Sequence, residues 1–109
     1  MYRSKKHLEF IRKQPCIISE QIDSQACHIR VLSDAGIGLK PSDFAIPMTY
    51  HFHRMSHDIG EIRFFQKFSI NPYEIALYYA KLSLCKKITH EHLEYLKERK
   101  SIYERLYQN

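Results

Sequence analysis

Two histidines four residues apart, His53 and His57 in the run Tyr50-His51-Phe52-His53-Arg54-Met55-Ser56-His57, carry the chain's clearest chemical signal. On a helix this spacing stacks both imidazoles on one face, where a pair can hold one divalent ion, as in the helix of zinc proteases. A histidine-rich helix that merely faces solvent would show the same spacing. His51 falls on another face and has no part in the pair. Upstream, His28 stands at or near the end of Gln25-Ala26-Cys27-His28-Ile29-Arg30, a stretch suited to a strand. A neutral imidazole has an ordinary pKa of about 6.5 and can take a proton from water near neutrality. A metal ion on the helix would stabilise charged phosphate oxygens and a leaving oxygen. A base on a strand and a cation on a helix are together suited to phosphodiester hydrolysis.

The elements that must position these groups are short. Lys5 to Lys13 reads as a helix, with His7, Leu8, Phe10 and Ile11 at helical spacing and Pro15 stopping it. Cys16-Ile17-Ile18 suits a short buried strand. Leu32 to Asp43 contains Gly36, Gly38 and Pro41 and is the longest irregular stretch. Phe44 to Met48 is a brief strand in which Pro47 points to an edge or a terminus. Thr49 is expected to cap the histidine-bearing helix, which ends before Gly60. A further helical stretch covers roughly residues 61–68. Asn71-Pro72 is a helix start, with Ile75, Ala76, Tyr79, Leu82 and Leu84 as the apolar positions and an end near Lys86. Thr89 is expected to cap a last helix whose apolar positions are Leu93, Leu96, Ile102, Tyr103 and Leu106. The order predicts an α+β fold with helix in excess.

Composition narrows the classes. A chain of 109 residues fits one small domain. With 44% hydrophobic and 27% charged residues it reads as globular, and no apolar run reaches the roughly 20 residues that span a bilayer. The basic start, Met1 to His7, lacks the apolar core of a secretory signal, so a cytoplasmic location is expected. The net charge of +5 favours a polyanionic partner such as DNA. Cys16, Cys27 and Cys85 are too few for a disulfide framework, which leaves metal binding or packing. Tyr73, Tyr78, Tyr79, Phe64, Phe65 and Phe68 read as core rather than as base-stacking platforms. The final helix could pack on its own domain or pair with a second subunit in a homodimer.

The ordered landmarks resemble the HNH (ββα-metal) nuclease superfamily, and within it the recombination-enhancement-type phage and bacterial proteins. The likeness runs from His7-Leu8-Glu9-Phe10-Ile11-Arg12 and Gln14-Pro15-Cys16 through Ala26-Cys27-His28-Ile29-Arg30. It continues over Gly36-Ile37-Gly38-Leu39-Lys40-Pro41-Ser42-Asp43, Ile46-Pro47-Met48, His53-Arg54, His57, Ile59-Gly60-Glu61 and Phe64-Phe65, so residues 7 to about 80 are covered. It implies a ββα-metal core at about 14–60, made of a two-stranded hairpin and a metal-binding helix. A helical extension would follow over about 61–109. The activity implied is a metal-dependent DNA endonuclease or nickase, with a role in recombination. Residue by residue, His28 falls at the general base and Asp43 near the polar residue that braces the loop. His53 and His57 fall at the metal-binding helix positions, so that His28, His53 and His57 are expected to converge about one divalent ion (Mg²⁺, Mn²⁺, Ni²⁺ or Zn²⁺). Arg30 directly follows the active strand. Arg30, Lys40 and Arg54 are the expected nucleic-acid contacts.

The chain also departs from the pattern. Relatives commonly hold a structural zinc with one cysteine pair at the first strand and a second beside the helix. Here Cys16 and Ser19 occupy the first pair of positions, and Thr49 and Phe52 the second. Cys16 alone cannot build a tetrahedral site, so no structural zinc is expected and apolar packing around Phe52 and Cys16 should replace it. Cys27 stands before the base, where many HNH enzymes place a metal ligand. A thiolate there would favour Zn²⁺. In the alternative, which is preferred, Cys27 faces the core and the ion rests on His53, His57 and waters, with Asp23 as a helper if its loop bends back. These departures also keep open a catalytically inactive module that binds nucleic acid or protein.

Overall fold

A computed structural model describes residues 5–30, 44–83 and 90–107. The expected positions Lys40 and Asp43, the glycine-containing loop and the Thr89 cap lie outside the described residues. The described elements are α1 (Lys5–Arg12), β1 (Gln25–His28), β2 (Ala45–Met48), α2 (Tyr50–Ile59), α3 (Glu61–Lys67), α4 (Pro72–Ser83) and α5 (His90–Tyr107). This is an α+β fold with helix in excess.

The two strands pair antiparallel, with Gln25 opposite Met48, Ala26 opposite Pro47, Cys27 opposite Ile46 and His28 opposite Ala45. Alternation along a strand sends neighbours to opposite faces. One face carries Cys27, Ile29, Phe44, Ile46 and Met48 into the main core, which α2, α3, α4 and α5 complete. The other carries Ala26 and Ala45 against Leu8 and Ile11 of α1. His28 lies opposite Ala45 and so belongs to this second face. Pro47 has no N–H to donate, yet its carbonyl accepts a bond from the Ile17 N–H at 3.1 Å, which suits an edge position.

Cys16 to Ile18 does not form the expected strand. The segment closes on itself as a turn: the Cys16 N–H donates to the Gln21 carbonyl at 2.8 Å, and the Glu20 N–H to the Cys16 carbonyl at 2.9 Å. The apolar run did signal burial, since Cys16 is a core residue and Ile17 and Ile18 pack against that core. A short apolar run carries no periodicity that separates strand from buried turn.

Between β2 and α2 there is one residue, Thr49, extended at φ −64° and ψ 161°. Its carbonyl accepts the His53 N–H at 2.9 Å and so starts the helix. Its hydroxyl does not cap α2, contrary to expectation, but donates to Cys16 Sγ at 3.8 Å. Gly60 ends α2 at φ +91°, a conformation that side chains rarely adopt, and its carbonyl starts α3 by accepting the Phe64 N–H at 2.9 Å. Asn71 caps α4 as expected: Oδ1 accepts the Tyr73 N–H at 3.1 Å, while Nδ2 donates to the Lys100 carbonyl of α5 at 3.0 Å.

The buried face of α4 is rotated from the expected one. Tyr73, Ala76, Leu77 and Ala80 are buried, whereas Leu82 is 51% exposed. Apolar residues surround this helix, so packing against α5 rather than its own pattern selects the inner face. On α5, Leu96 and Tyr103 are buried and Leu106 is exposed. Of the aromatics assigned to the core, Phe64, Phe65 and Tyr73 are fully buried, Phe68 and Tyr79 half-buried, and Tyr78 exposed. Among the described residues no helix is long and apolar enough to cross a membrane.

Candidate metal and phosphate site

The α2 helix packs Phe52, Met55 and Ser56 inward and leaves Tyr50, Arg54, His57 and Asp58 outward, with His53 at the boundary. His53 and His57 lie side by side, their ring centroids 5.0 Å apart and their planes inclined at 36°. With Gln25, Tyr50, Arg54 and Asp58 they line an open cleft of about 240 Å³.

Gln25 begins β1, and its Oε1 lies 2.8 Å from His53 Nδ1. An amide oxygen only accepts, so with Oε1 facing the ring Nδ1 is the donor of this bond. The lone pair of neutral His53 then sits on Nε2. Burial lowers the pKa of His53 below its ordinary value, and the nearby His57, His28 and Arg30 lower it further, which favours the neutral ring. A neutral imidazole whose second nitrogen donates to a fixed carbonyl is the form in which histidine binds metals. The donor chemistry of the pair therefore fits a divalent ion.

Among the described residues no group of three or more His, Cys, Asp or Glu side chains is placed to hold a metal ion. His28 and Cys27 are neighbours on β1 and alternate to opposite faces. His28 is half-buried on the face shared with Ala26 and Ala45, yet still close enough for its charge to bear on His53. Cys27 takes the core alternative. It is 2% exposed, and burial and the Glu61 carboxylate push its thiol up to about 12, against an opposing hydrogen bond with Ser56 and the charge of Arg30. A thiol so disfavoured as thiolate is a poor ligand.

Beside the hairpin, the four positions at Cys16, Ser19, Thr49 and Phe52 gather. The Ser19 N–H lies 3.5 Å from Cys16 Sγ, the Thr49 hydroxyl donates to the same sulfur, and Phe52 packs on the cluster containing it. Burial pushes the Cys16 thiol up, but hydrogen bonds from Ser19, Thr49 and Ile18 more than reverse this and leave it at about 7.

Arg30 follows β1 and is exposed; its backbone N–H donates to both carboxylate oxygens of Glu61, at 3.1 and 3.2 Å. Arg30, Glu61 and Arg63 border a second groove of about 370 Å³ at the α2–α3 junction. Arg54 is exposed; its Nη1 donates to the Tyr50 hydroxyl at 3.1 Å, and its Nε lies 3.8 Å from Asp58 Oδ2. Sequence reasoning assigned no role to Gln25, Tyr50, Asp58, Glu61 or Arg63. The spacing of Tyr50, Arg54 and Asp58, each four residues from the next, was a local signal of their linkage. Gln25 and Glu61 gave no such signal, because their partners are 28 and 31 residues away.

No protein-family model, no curated protein and no solved structure matches this chain.

Proposed function

We propose that the chain is a metal-dependent DNA endonuclease or nickase on a ββα-metal core. The observation that carries this reading is the His53–His57 pair on the helix directly after an antiparallel hairpin, with its tautomer set by Gln25 of that hairpin. A divalent ion held by His53 and His57 would supply charge stabilisation for the phosphate and the leaving oxygen. His28, at the end of β1, accepts the proton of the attacking water on a ring nitrogen. At the end of β1 it lies close enough for its charge to bear on His53, which suits a base that works beside the imidazole pair. Arg54 is exposed in the same cleft as the pair, and Arg30 is exposed and close enough for its charge to bear on His53; both orient phosphates by charge-assisted bonds. The gathering of positions 16, 19, 49 and 52 beside the hairpin also supports the reading, because HNH relatives place their structural zinc on the corresponding positions.

Plasmid cleavage by chelator-treated protein, with each divalent ion added back, tests the proposal. Nicking should require the ion and disappear in His28→Ala and in His53→Ala. Silence from folded protein supplied with Mg²⁺, Mn²⁺, Ni²⁺ and Zn²⁺ refutes it.

A second reading, a non-catalytic nucleic-acid-binding protein of the same fold, is favoured by one observation. The described residues bring two imidazoles together but no third ligand. It predicts DNA binding that is unchanged in His28→Ala, with no cleavage by either protein.

A further inference from the structure

We propose that Tyr50 is a stacking platform for an unpaired nucleobase, placed beside the phosphate that an ion on the imidazole pair would hold. The inference rests on the reading of this cleft as a phosphodiester site and specifies the substrate as one with a locally single-stranded segment. Tyr50 opens α2, is 60% exposed and lines the same cleft as His53 and His57. Its ring is held from the far end: Arg54 Nη1 donates to the hydroxyl at 3.1 Å, and Asp58 lies 3.8 Å from Arg54 Nε. The aromatic face is thus oriented without being covered. A base stacked within a duplex keeps both faces occupied, so a platform of this kind acts on bases that have left the stack. The guanidinium of Arg54 beside it supplies positive charge for the adjoining backbone.

Fluorescence anisotropy in excess chelator tests this apart from turnover, using a labelled single-stranded oligothymidylate and a duplex of equal length. Tyr50→Ala should weaken single-strand binding by about 5- to 150-fold, the equivalent of one stacked base, and leave duplex binding unchanged. Tyr50→Phe, which keeps the ring and loses the Arg54 bond, should stay within about threefold of the native protein. Tyr78→Ala, which removes a tyrosine of similar exposure (58%) whose ring rests against Tyr79 on α4, should change nothing. Unaltered single-strand binding in Tyr50→Ala, equal losses on both DNA forms, or a loss in Tyr50→Phe as large as in Tyr50→Ala overturns the platform and leaves the nuclease reading standing. Failure of the folded native protein to bind either DNA at low salt, both in chelator and with a divalent ion restored, overturns both.

Discussion

Replacing Gln25 with alanine removes the acceptor that lies 2.8 Å from His53 Nδ1 and should weaken metal binding more than it weakens the fold. The bond lies in an exposed setting, where water can replace the lost oxygen, so its net contribution to stability belongs in the lower half of ~0.5–1.5 kcal/mol. Its effect on the ligand is different in kind. Without the amide oxygen, neither the tautomer nor the rotation of the His53 ring is set, and loss of such a partner typically costs ~10–100-fold in metal affinity. Solvent substitution places the expected loss near ~10-fold, or about 1.4 kcal/mol of binding free energy. Titration calorimetry with Ni²⁺ and Zn²⁺ on native protein, Gln25→Ala and His53→Ala measures it, with urea midpoints read in parallel. The native ring should carry its proton on Nδ1 by nitrogen NMR, and Gln25→Ala should lose that preference. Gln25→Glu offers a stronger acceptor and should bind at least as tightly as the native protein. Unchanged affinity in Gln25→Ala, alongside abolished binding in His53→Ala, would show that Gln25 does not orient the ring. Absence of binding by the native protein would dismiss the imidazole pair as a metal site.

Three further outcomes follow from the same geometry. Asn71→Ala removes both the α4 cap and the donor to the Lys100 carbonyl at a site 5% exposed. Urea denaturation should show a loss of ~2–4 kcal/mol, and a change below about 0.5 kcal/mol would refute the double role. Burial lowers the pKa of His7 from its ordinary value of 6.5, and the pKa of His53 is lowered as well, so below that pH the unfolded chain binds more protons than the folded one. Stability present above pH 6.5 should therefore fall as pH drops through 6.5 toward the folded pKa values, and His7→Leu should flatten the decline; a midpoint that rises on acidification refutes this. Cys27, buried and with its thiol raised to about 12, should resist iodoacetamide at pH 8 in the native state and react once urea is added. Modification of the Cys27 peptide at the rate of a free thiol would contradict its place in the core.

Much of the framework was legible because it depends on neighbours in the chain. Asn71-Pro72 opens α4 through a cap bond spanning two residues, and Gly60 breaks α2 from α3 through its own backbone conformation. The strand at Gln25–His28 and the pairing of His53 with His57 follow from the periods of strand and helix. These features need no information about what packs against them.

What only the tertiary structure decided involves partners far apart in sequence. The amino-acid pattern placed Cys16-Ile17-Ile18 inside the protein but could not say whether a strand would pair with it. The Ile17 N–H bonds to the Pro47 carbonyl of β2, while Cys16, Glu20 and Gln21 turn the segment back on itself. The apolar residues of α4 allowed several inner faces, and contact with α5 selected the one with Tyr73, Ala76, Leu77 and Ala80. Cys27 had two chemical readings until the α2 helix closed over β1 and buried it among core residues. Likewise the bond from Gln25 to His53, which sets the tautomer of the candidate metal ligand, joins residues 28 apart. Local sequence determined which elements form and which faces could carry the histidines, because backbone periodicity and capping are short-range. The side of β1 that meets α2, and hence which groups surround the imidazole pair, was decided by long-range packing.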